Sequence, residues 1–197
     1  MIGVLALQGG FAAHARMLRE LGADVREVRV PTDLEGLDGL VIPGGESTAI
    51  TLGMENAGLE QSIRDLHGEG RPIFGTCAGM IVCDADHLGL IDARARRNAF
   101  GRQLASFEAD LAIEGIGSEP LRAVFIRAPW IEKWSDDVDV LAQLDEHPVV
   151  IRQDNVLVCS FHPELTEDQR LHALFMAMIS SARETDSSPE GERQARR

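Results

Sequence analysis

A cysteine between two glycines, in the run Gly75-Thr76-Cys77-Ala78-Gly79, is the feature that most constrains how this chain can fold. The apolar segment Pro72–Phe74 precedes it as a short buried strand, and a helix is predicted from Met80 onward. A G-x-C-x-G turn between strand and helix is a nucleophile elbow with a thiol in place of the hydroxyl. The turn is strained, and flanking glycines let the chain reverse without a Cβ clash. The alternative is a small core cysteine between turn glycines.

The chain before the elbow alternates between strand and helix, which favours an α/β fold. Continuous apolar runs are typical of buried parallel strands, and amphipathic runs ending at glycine are typical of helices. We predict strands at Ile2–Leu7, Val25–Val30 and Gly39–Ile42, and helices at Phe11–Leu21, Ser47–Glu55 and Gly58–His67. The expected fold class is an open mixed, mostly parallel sheet flanked by helices, of the flavodoxin-like type.

After the elbow helix, short strand-like segments follow one another and should add antiparallel or mixed edges to the sheet. They are Leu88–Arg94, Ala105–Ile113, Arg122–Ile126, Val138–Leu144, Val149–Gln153 and Val156–Phe161. Trp130 and Trp134 are spaced as on one half-exposed helical face, but local packing is the favoured interpretation. Residues 169–182 form a closing helix, so residues 1–182 are expected to be one domain and residues 183–197 a disordered tail.

Composition excludes several classes of protein. Three irregularly placed cysteines do not indicate a disulfide framework or a zinc site, and no metal site is expected. Met1 leads directly into an apolar strand without a basic segment, and no run approaches the ~18 apolar residues of a membrane span. We therefore expect a cytoplasmic protein. The net charge of −13 argues against a nucleic-acid partner, because phosphate binding requires a basic surface.

A second motif, Ser160-Phe161-His162-Pro163-Glu164, places a histidine 85 residues after Cys77 (162 minus 77). In a parallel sheet, active sites form at the carboxyl ends of the strands. Four predicted loops meet there: Gln8–Gly10, Gly44–Ser47, Gly75–Gly79 and Phe161–Glu164. A thiol is only a few per cent ionised at neutral pH, so Cys77 as a nucleophile needs a base, and His162 is the candidate.

Glu164 is the candidate orienter of His162, since alternate residues of an extended segment point to the same side. The competing interpretations are ordinary ones. His162 could be a structural histidine at a strand end, and Glu164 a surface carboxylate or a helix cap. The glycines of Gly44–Ser47 could simply turn the chain, with Ser47 capping the next helix.

These motifs resemble the triad-type, class I glutamine amidotransferases, which use Cys-His-Glu to hydrolyse glutamine. Further segments resemble the glutaminase subunits of pyridoxal 5'-phosphate synthases. These segments are Leu7–Gly9, Pro43–Thr48, Phe100–Gln103, Ser106–Asp110, Val124–Pro129 and Cys159–Thr166. The resemblance thus covers nearly all of the predicted folded chain. One departure is Ala-Pro-Trp130 in place of the commoner Ala-Pro-His.

The resemblance implies roles for individual residues. Cys77, His162 and Glu164 correspond to the triad. The segments that match glutamine-contacting ones contain Gly45, Glu46, Ser47, Arg102, Ile126 and Arg127, and the two arginines suit a bidentate hold on a carboxylate. Without the family match either arginine could be a solvated charge. Gln8, Gly44 and Ala78 are implied to support the oxyanion site, with Gln8 also near the partner interface.

The function implied by the resemblance is hydrolysis of L-glutamine to L-glutamate and ammonia, with no cofactor. The ammonia would pass to a separate (β/α)₈-barrel synthase subunit in a large hetero-oligomer that makes pyridoxal 5'-phosphate. Two alternatives stay open. The chain could be the glutaminase subunit of another amidotransferase, for example in histidine biosynthesis, or a catalytically silent regulatory subunit on the same fold.

Overall fold

The computed structural model describes residues 1–100 and 106–186, the side chain of residue 186 excepted, and its centre is a seven-stranded sheet. The strands of this sheet, in spatial order, are β2 (Val25–Val28), β1 (Ile2–Leu5), β3 (Gly39–Ile42), β4 (Ile73–Thr76), β11 (Val156–Cys159), β10 (His147–Gln153) and β9 (Asp139–Leu144). The first five are parallel, and the last two add an antiparallel edge. The predicted mixed, mostly parallel sheet is therefore present.

Helices cover both faces of the sheet because successive strand residues point to opposite sides. The helices are α1 (Phe11–Glu20), α2 (Ser47–Ala57), α3 (Leu59–Gly68), α4 (Ala78–Cys83) and α5 (Arg170–Asp186). One core joins α2, α3 and α4 to residues such as Leu40 and Ile42 of β3. The other joins α1 and α5 to Val41, which lies between them in the same strand, and to Phe74 of β4. Each face of the sheet thus has its own core.

Two small hairpin-like sheets account for the remaining strands. β5 (Ala93–Arg96) pairs with β8 (Trp130–Trp134), and β6 (Ser106–Leu111) pairs with β7 (Leu121–Ile126). Both pairs are antiparallel and stand apart from the central sheet rather than extending it, which the sequence did not predict. None of the helices in the described ranges is long and apolar enough to cross a membrane.

Two local predictions and one alternative interpretation were wrong. Only residues 93 and 94 of the predicted strand Leu88–Arg94 are extended, because Leu88, Leu90 and Ile91 are core residues of a loop. Trp130 and Trp134 lie at the two ends of β8, which excludes the alternative of a helical face. The closing helix does not stop at Ala182 but continues to residue 186, where the ion pair of Arg183 with Asp38 ties its last turns to the amino-terminal edge of the sheet.

Candidate active site

The loops that follow the parallel strands enclose a cavity of about 470 Å³ at the carboxyl edge of the sheet. This volume is within the range of small-molecule sites, ~300–1,000 Å³. All four loops predicted for this edge contribute to its lining. The predicted site residues that line it are Gln8, Gly44, Gly45, Glu46, Ser47, Cys77, Ala78, Ile126, Arg127, His162 and Glu164. The remaining one, Arg102, lies outside the described residues.

Cys77 occupies a strained turn between β4 and α4, as the elbow motif predicts. Its φ is 48° and its ψ is −106°, a conformation that L-residues rarely adopt. Gly79 is required here by close approach, since a Cβ on it would lie 2.1 Å from the Ile42 carbonyl oxygen. The Cys77 N–H donates to the Cys159 carbonyl at 2.8 Å, which fixes the turn to β11. The thiol is 5% exposed and faces the cavity, 3.8 Å from the Ile126 carbonyl oxygen.

His162 lies beside Cys77, and both side chains pack against Gly44. A Cβ on Gly44 would lie 2.5 Å from His162 Cε1 and 3.1 Å from Cys77 Cβ, so only glycine fits at this position. His162 Nδ1 is 2.8 Å from Glu164 Oε1. The extended segment inferred for this pair is wrong, because Pro163–Leu165 is a short 3₁₀ helix. The tight turn still brings the carboxylate onto the ring.

The charges in this group stabilise one another. Burial alone would lower the pKa of His162, but the hydrogen bonds and charges of Cys77 and Glu164 outweigh burial and raise the pKa to about 10. Burial alone would raise the pKa of Glu164, yet its contact with His14 and its hydrogen bond and charge interaction with His162 hold that pKa well below the usual range. The geometry therefore favours an ionised Glu164 facing a protonated His162.

The glycine-rich loop after β3 is fixed by two hydrogen bonds of Gly44, one to backbone and one to a side-chain hydroxyl. The Gly44 carbonyl accepts from the Gly10 N–H at 3.0 Å, and the Gly44 N–H donates to Thr76 Oγ1 at 3.0 Å. A Cβ on Gly9 would lie 1.8 Å from the Gly44 carbonyl oxygen, so that position admits only glycine. The Gly44 N–H is consequently engaged with Thr76.

The start of α2 is capped by Glu46, not by Ser47 as the sequence suggested. Glu46 accepts from the Thr48 and Ala49 N–H groups at 3.1 and 2.8 Å. Gln8 Oε1 accepts from the Glu46 N–H at 2.7 Å and so joins the first loop to this one. Ser47 is buried against the cavity, and its hydroxyl has no hydrogen-bond partner within the described ranges. That hydroxyl remains available to a ligand.

Two arginines face the cavity. Arg127 was predicted, and it holds a left-handed turn with φ 45° just after β7. Arg97 was missed; it lines the cavity beside Asn98 and pairs with Glu46 Oε1 at 2.9 Å. The sequence signal available for Arg97 was its position next to Asn98 and the Phe100–Gln103 segment. Its side chain is 49% exposed and can approach a bound anion.

Sequence reasoning also missed two buried histidines behind the triad. His14 Nε2 lies 3.2 Å from Glu164 Oε2 and 3.1 Å from Thr76 Oγ1. His14 Nδ1 lies 2.8 Å from His172 Nε2. Both histidines are fully buried. A signal was present in α1, where His14 falls on the same face as the buried residues Met17 and Leu18.

The other two cysteines and Trp130 have structural positions. Cys83 is fully buried at the end of α4, and Cys159 is fully buried in β11; burial raises the pKa of both thiols. Trp130 stacks on His147 with ring centroids 3.6 Å apart, so its ring packs between strands. Within residues 1–100 and 106–186, no cluster of histidine, cysteine or carboxylate side chains could hold a metal ion.

Comparison with known proteins places this geometry in a family. The model of the SNO glutamine amidotransferase family matches residues 4–181. A curated relative from Fervidobacterium nodosum, named pyridoxal 5'-phosphate synthase subunit PdxT, is 46% identical over 190 residues, which are 93% of this chain and 99% of the relative. A relative of the same name from Moorella thermoacetica is 49% identical over 185 residues, 90% of this chain and 98% of the relative.

Solved structures agree with these relatives. A structure described as a glutamine amidotransferase superposes with a TM-score of 0.86 at 46% identity, covering 91% of this chain and 98% of that one. A putative GMP synthase component from Thermoplasma acidophilum superposes with a TM-score of 0.75 at 22% identity, covering 95% of this chain and 97% of that one, and shows the shared fold alone. The predicted fold class is therefore confirmed. Because the family model matches residues 4–181, which include most of the seven-stranded sheet and the candidate triad, the chain belongs to the SNO glutamine amidotransferase family.

Proposed function

We propose that this protein hydrolyses L-glutamine to L-glutamate and ammonia as the glutaminase subunit of a pyridoxal 5'-phosphate synthase. The observation that carries the proposal is the meeting of Cys77, His162 and Glu164 in one cavity, with Cys77 on a strained turn and a 2.8 Å contact between His162 and Glu164. The relatives that bear the synthase name are matched over more than nine-tenths of their own length.

In the first half-reaction, Cys77 Sγ attacks the side-chain carboxamide carbon of glutamine. The tetrahedral intermediate collapses as the C–N bond breaks, and protonated His162 donates its proton to the departing nitrogen. The products are a γ-glutamyl thioester on Cys77 and ammonia. Glu164 holds Nδ1 of the ring, which leaves Nε2 to exchange the proton.

In the second half-reaction, water attacks the thioester carbon while His162 accepts a proton from it. The C–S bond breaks, glutamate leaves, and the thiolate–imidazolium pair is restored. A raised His162 pKa suits this cycle, because the ring must be protonated when ammonia leaves. The same ring must then accept a proton from water, and the thioester removes the anionic sulfur that stabilised its charge.

Substrate binding is assigned to polar groups at the mouth of the cavity. Arg127 and Arg97 are the cations that face it among the described residues, and either can hold the α-carboxylate of glutamine. The unpartnered Ser47 hydroxyl and the backbone of Gly45 line the same cavity as Cys77 and suit the polar end of the substrate. Arg102, Glu46 and Ile126 keep the roles that the family resemblance implies.

The oxyanion site is proposed to be incomplete until a partner docks. Ala78 N–H, at the start of α4, is one donor. The second is expected from the Gly44–Gly45 region, but the Gly44 N–H is engaged by Thr76 Oγ1 at 3.0 Å. Gln8 bonds to this loop from the exposed first loop, so contact with a partner at Gln8 can reposition it. We therefore expect low activity from the isolated protein.

The partner is proposed to be a (β/α)₈-barrel synthase subunit, assembled with this chain in a large hetero-oligomer. Free ammonia is protonated in bulk water and loses its nucleophilicity, which is a physical reason to couple the two sites. The test is a glutamate-release assay of the protein with and without that subunit. A large gain on mixing, lost in Cys77→Ala, is expected. Equal rates in the two arms would refute activation by docking, and no release in either arm would refute the glutaminase function.

A further inference from the structure

The carboxylate of Glu164 lies between two histidines, of which the triad accounts for only one. Its side chain is 2% exposed, and a carboxylate buried to this extent requires donors for both oxygens. Oε1 is 2.8 Å from His162 Nδ1, and Oε2 is 3.2 Å from His14 Nε2. Cys159 also faces this carboxylate from β11, but burial raises the pKa of its thiol, and it stays neutral.

The tautomer of His14 can be assigned from the hydrogen-bonding groups around its ring. An ionised Glu164 needs a donor at His14 Nε2, so that nitrogen carries the hydrogen and shares it between Glu164 Oε2 and Thr76 Oγ1. The Oε2 contact lacks the alignment of a full hydrogen bond, so His14 stabilises this oxygen chiefly electrostatically. His14 Nδ1 then accepts from His172 Nε2–H at 2.8 Å.

His172 completes the assignment. Its Nδ1 has no partner among the described residues, which suits an unprotonated nitrogen better than a buried N–H. Burial is the main cause that lowers the pKa of His172 to about 3, so this ring stays neutral. The pair is further fixed by Phe74, whose ring meets His14 and His172 edge to face at 6.3 and 5.5 Å.

We propose that His14, held by His172, is a positioning residue of the triad: it fixes the Glu164 carboxylate so that Oε1 faces His162. The inference rests on the proposed glutaminase function. A polar pair within the apolar core between α1 and α5 is destabilising unless each group is partnered, and here the partners lead to Glu164. The link also reaches the glycine-rich loop, since Thr76 bonds both His14 and the Gly44 N–H.

The test compares two substitutions at His14. Gln can place its side-chain N–H₂ near the position of Nε2, whereas Met has a similar volume but no donor. With the synthase subunit present, we expect His14→Met to lower kcat about 10- to 100-fold, the size of effect commonly seen when a residue that orients a functional side chain is lost. KM for glutamine should change less than about threefold, because His14 does not line the cavity. His14→Gln should recover most of kcat.

A second readout does not depend on turnover. NMR titration of the His162 imidazole, assigned with His162→Gln, should show its midpoint falling by about one unit in His14→Met and little in His14→Gln. The groups that face His162 are Cys77 and Glu164, and those that face Glu164 are His14, His162 and Cys159. His67→Met, on α3 and remote from the cavity, controls for the substitution itself.

The outcomes separate the two hypotheses. A folded His14→Met with unchanged kcat and an unchanged His162 titration would overturn the positioning role. Equal losses in His14→Met and His14→Gln would assign His14 to packing and would also overturn it. If the unsubstituted protein with its partner released no glutamate, the glutaminase proposal would fail, and the His162 titration would still decide whether His14 positions Glu164.

Discussion

The two edges of the parallel sheet use glycine for different reasons. Gly22, Gly36 and Gly70 precede β2, β3 and β4 at the amino edge; all have positive φ, and a Cβ on any of them would meet nothing within 4 Å. At the carboxyl edge, Gly9 has a comparable φ of +92°, but its Cβ position is filled by the backbone of the neighbouring loop. Conformation alone requires glycine at these three amino-edge positions, whereas close packing against a neighbouring loop also requires it at Gly9.

This difference indicates where the fold has been adapted to function. At the amino edge, each of these three loops only ends a helix and begins a strand, with open space beside its glycine. At the carboxyl edge, the loops are packed against one another, and the strained Cys77 and the buried Glu164 are held between them. A strained turn and a buried carboxylate thus meet at the carboxyl edge, as expected of a preorganised active site.

The largest predicted effect on activity distinguishes two cysteines at opposite ends of α4. Cys77→Ala, at the carboxyl edge, should lower glutamate release by at least ~10³-fold, because the nucleophile is lost. Cys83→Ala, six residues along the chain and fully buried, should keep kcat/KM within about twofold and cost about 1 kcal/mol of stability as a small core truncation. Steady-state kinetics and urea unfolding measure the two effects. A Cys77→Ala variant with substantial activity would contradict the assigned nucleophile.

Next in size is the matched pair Gly9→Ala and Gly22→Ala. Both introduce a Cβ at positive φ, at a cost of about 1–2 kcal/mol each. Gly9→Ala must also displace the Gly44 carbonyl, which would lie 1.8 Å from the new atom, so we expect a larger loss of stability and a fall in activity of about 100-fold. Thermal unfolding and glutamate release test this. Equal effects of the two substitutions would remove the distinction between the edges.

A smaller effect concerns pH and stability. His162 has a pKa of about 10 in the folded protein against an ordinary 6.5. Its contribution to the stability of the folded state is therefore fully present below pH 6.5 and is lost as pH rises through 10. Glu164 has a lowered pKa, so its contribution is present above its ordinary 4.5 and is lost in acid. The stability difference between the parent protein and His162→Gln should therefore be largest near pH 5–6. A difference that grows toward pH 10 would contradict the assigned charges.

The smallest effect is expected at the amino edge. Asp38 pairs with Arg183 of α5 and with the amino terminus, and these hydrogen bonds, led by that of Arg183, lower its pKa to about 2. Asp38→Asn should cost about 0.5–1 kcal/mol at pH 7, since the pair is near the surface. The cost should vanish as pH falls through 2, without any change in kcat at neutral pH. Chemical unfolding across pH measures it, and a loss of activity would contradict a purely structural role.

The parts of the fold that depend on local pattern could be predicted from the sequence. The apolar runs of β1, β3 and β4 locate the parallel core, and the glycines mark both edges. The two small sheets could not be predicted, because a strand such as Ala93–Arg96 finds its partner Trp130–Trp134 far along the chain. Pattern alone does not distinguish a strand that extends the central sheet from one that stands apart.

The candidate site likewise contains residues that the sequence could predict and residues that it could not. Cys77, His162 and Glu164 are marked by their motifs, and their separation in sequence is bridged by the topology of the sheet. His14 and His172 carry no motif, are 158 residues apart, and meet only because α1 and α5 pack on one face. The ion pair of Glu46 with Arg97 likewise depends on a long-range contact. Residues that support a site from behind are visible only in three dimensions.

The most direct test of the central claim is mass mapping after exposure to a glutamine-shaped diazoketone, 6-diazo-5-oxo-L-norleucine, in the presence of the synthase subunit. The account predicts a single adduct on Cys77, with loss of N₂, that excess glutamine suppresses. The adduct should be absent in Cys77→Ala and strongly slowed in His162→Gln, while Cys83 and Cys159 stay unmodified. Labelling that is unaffected by His162→Gln, or that falls on another residue, would contradict the triad.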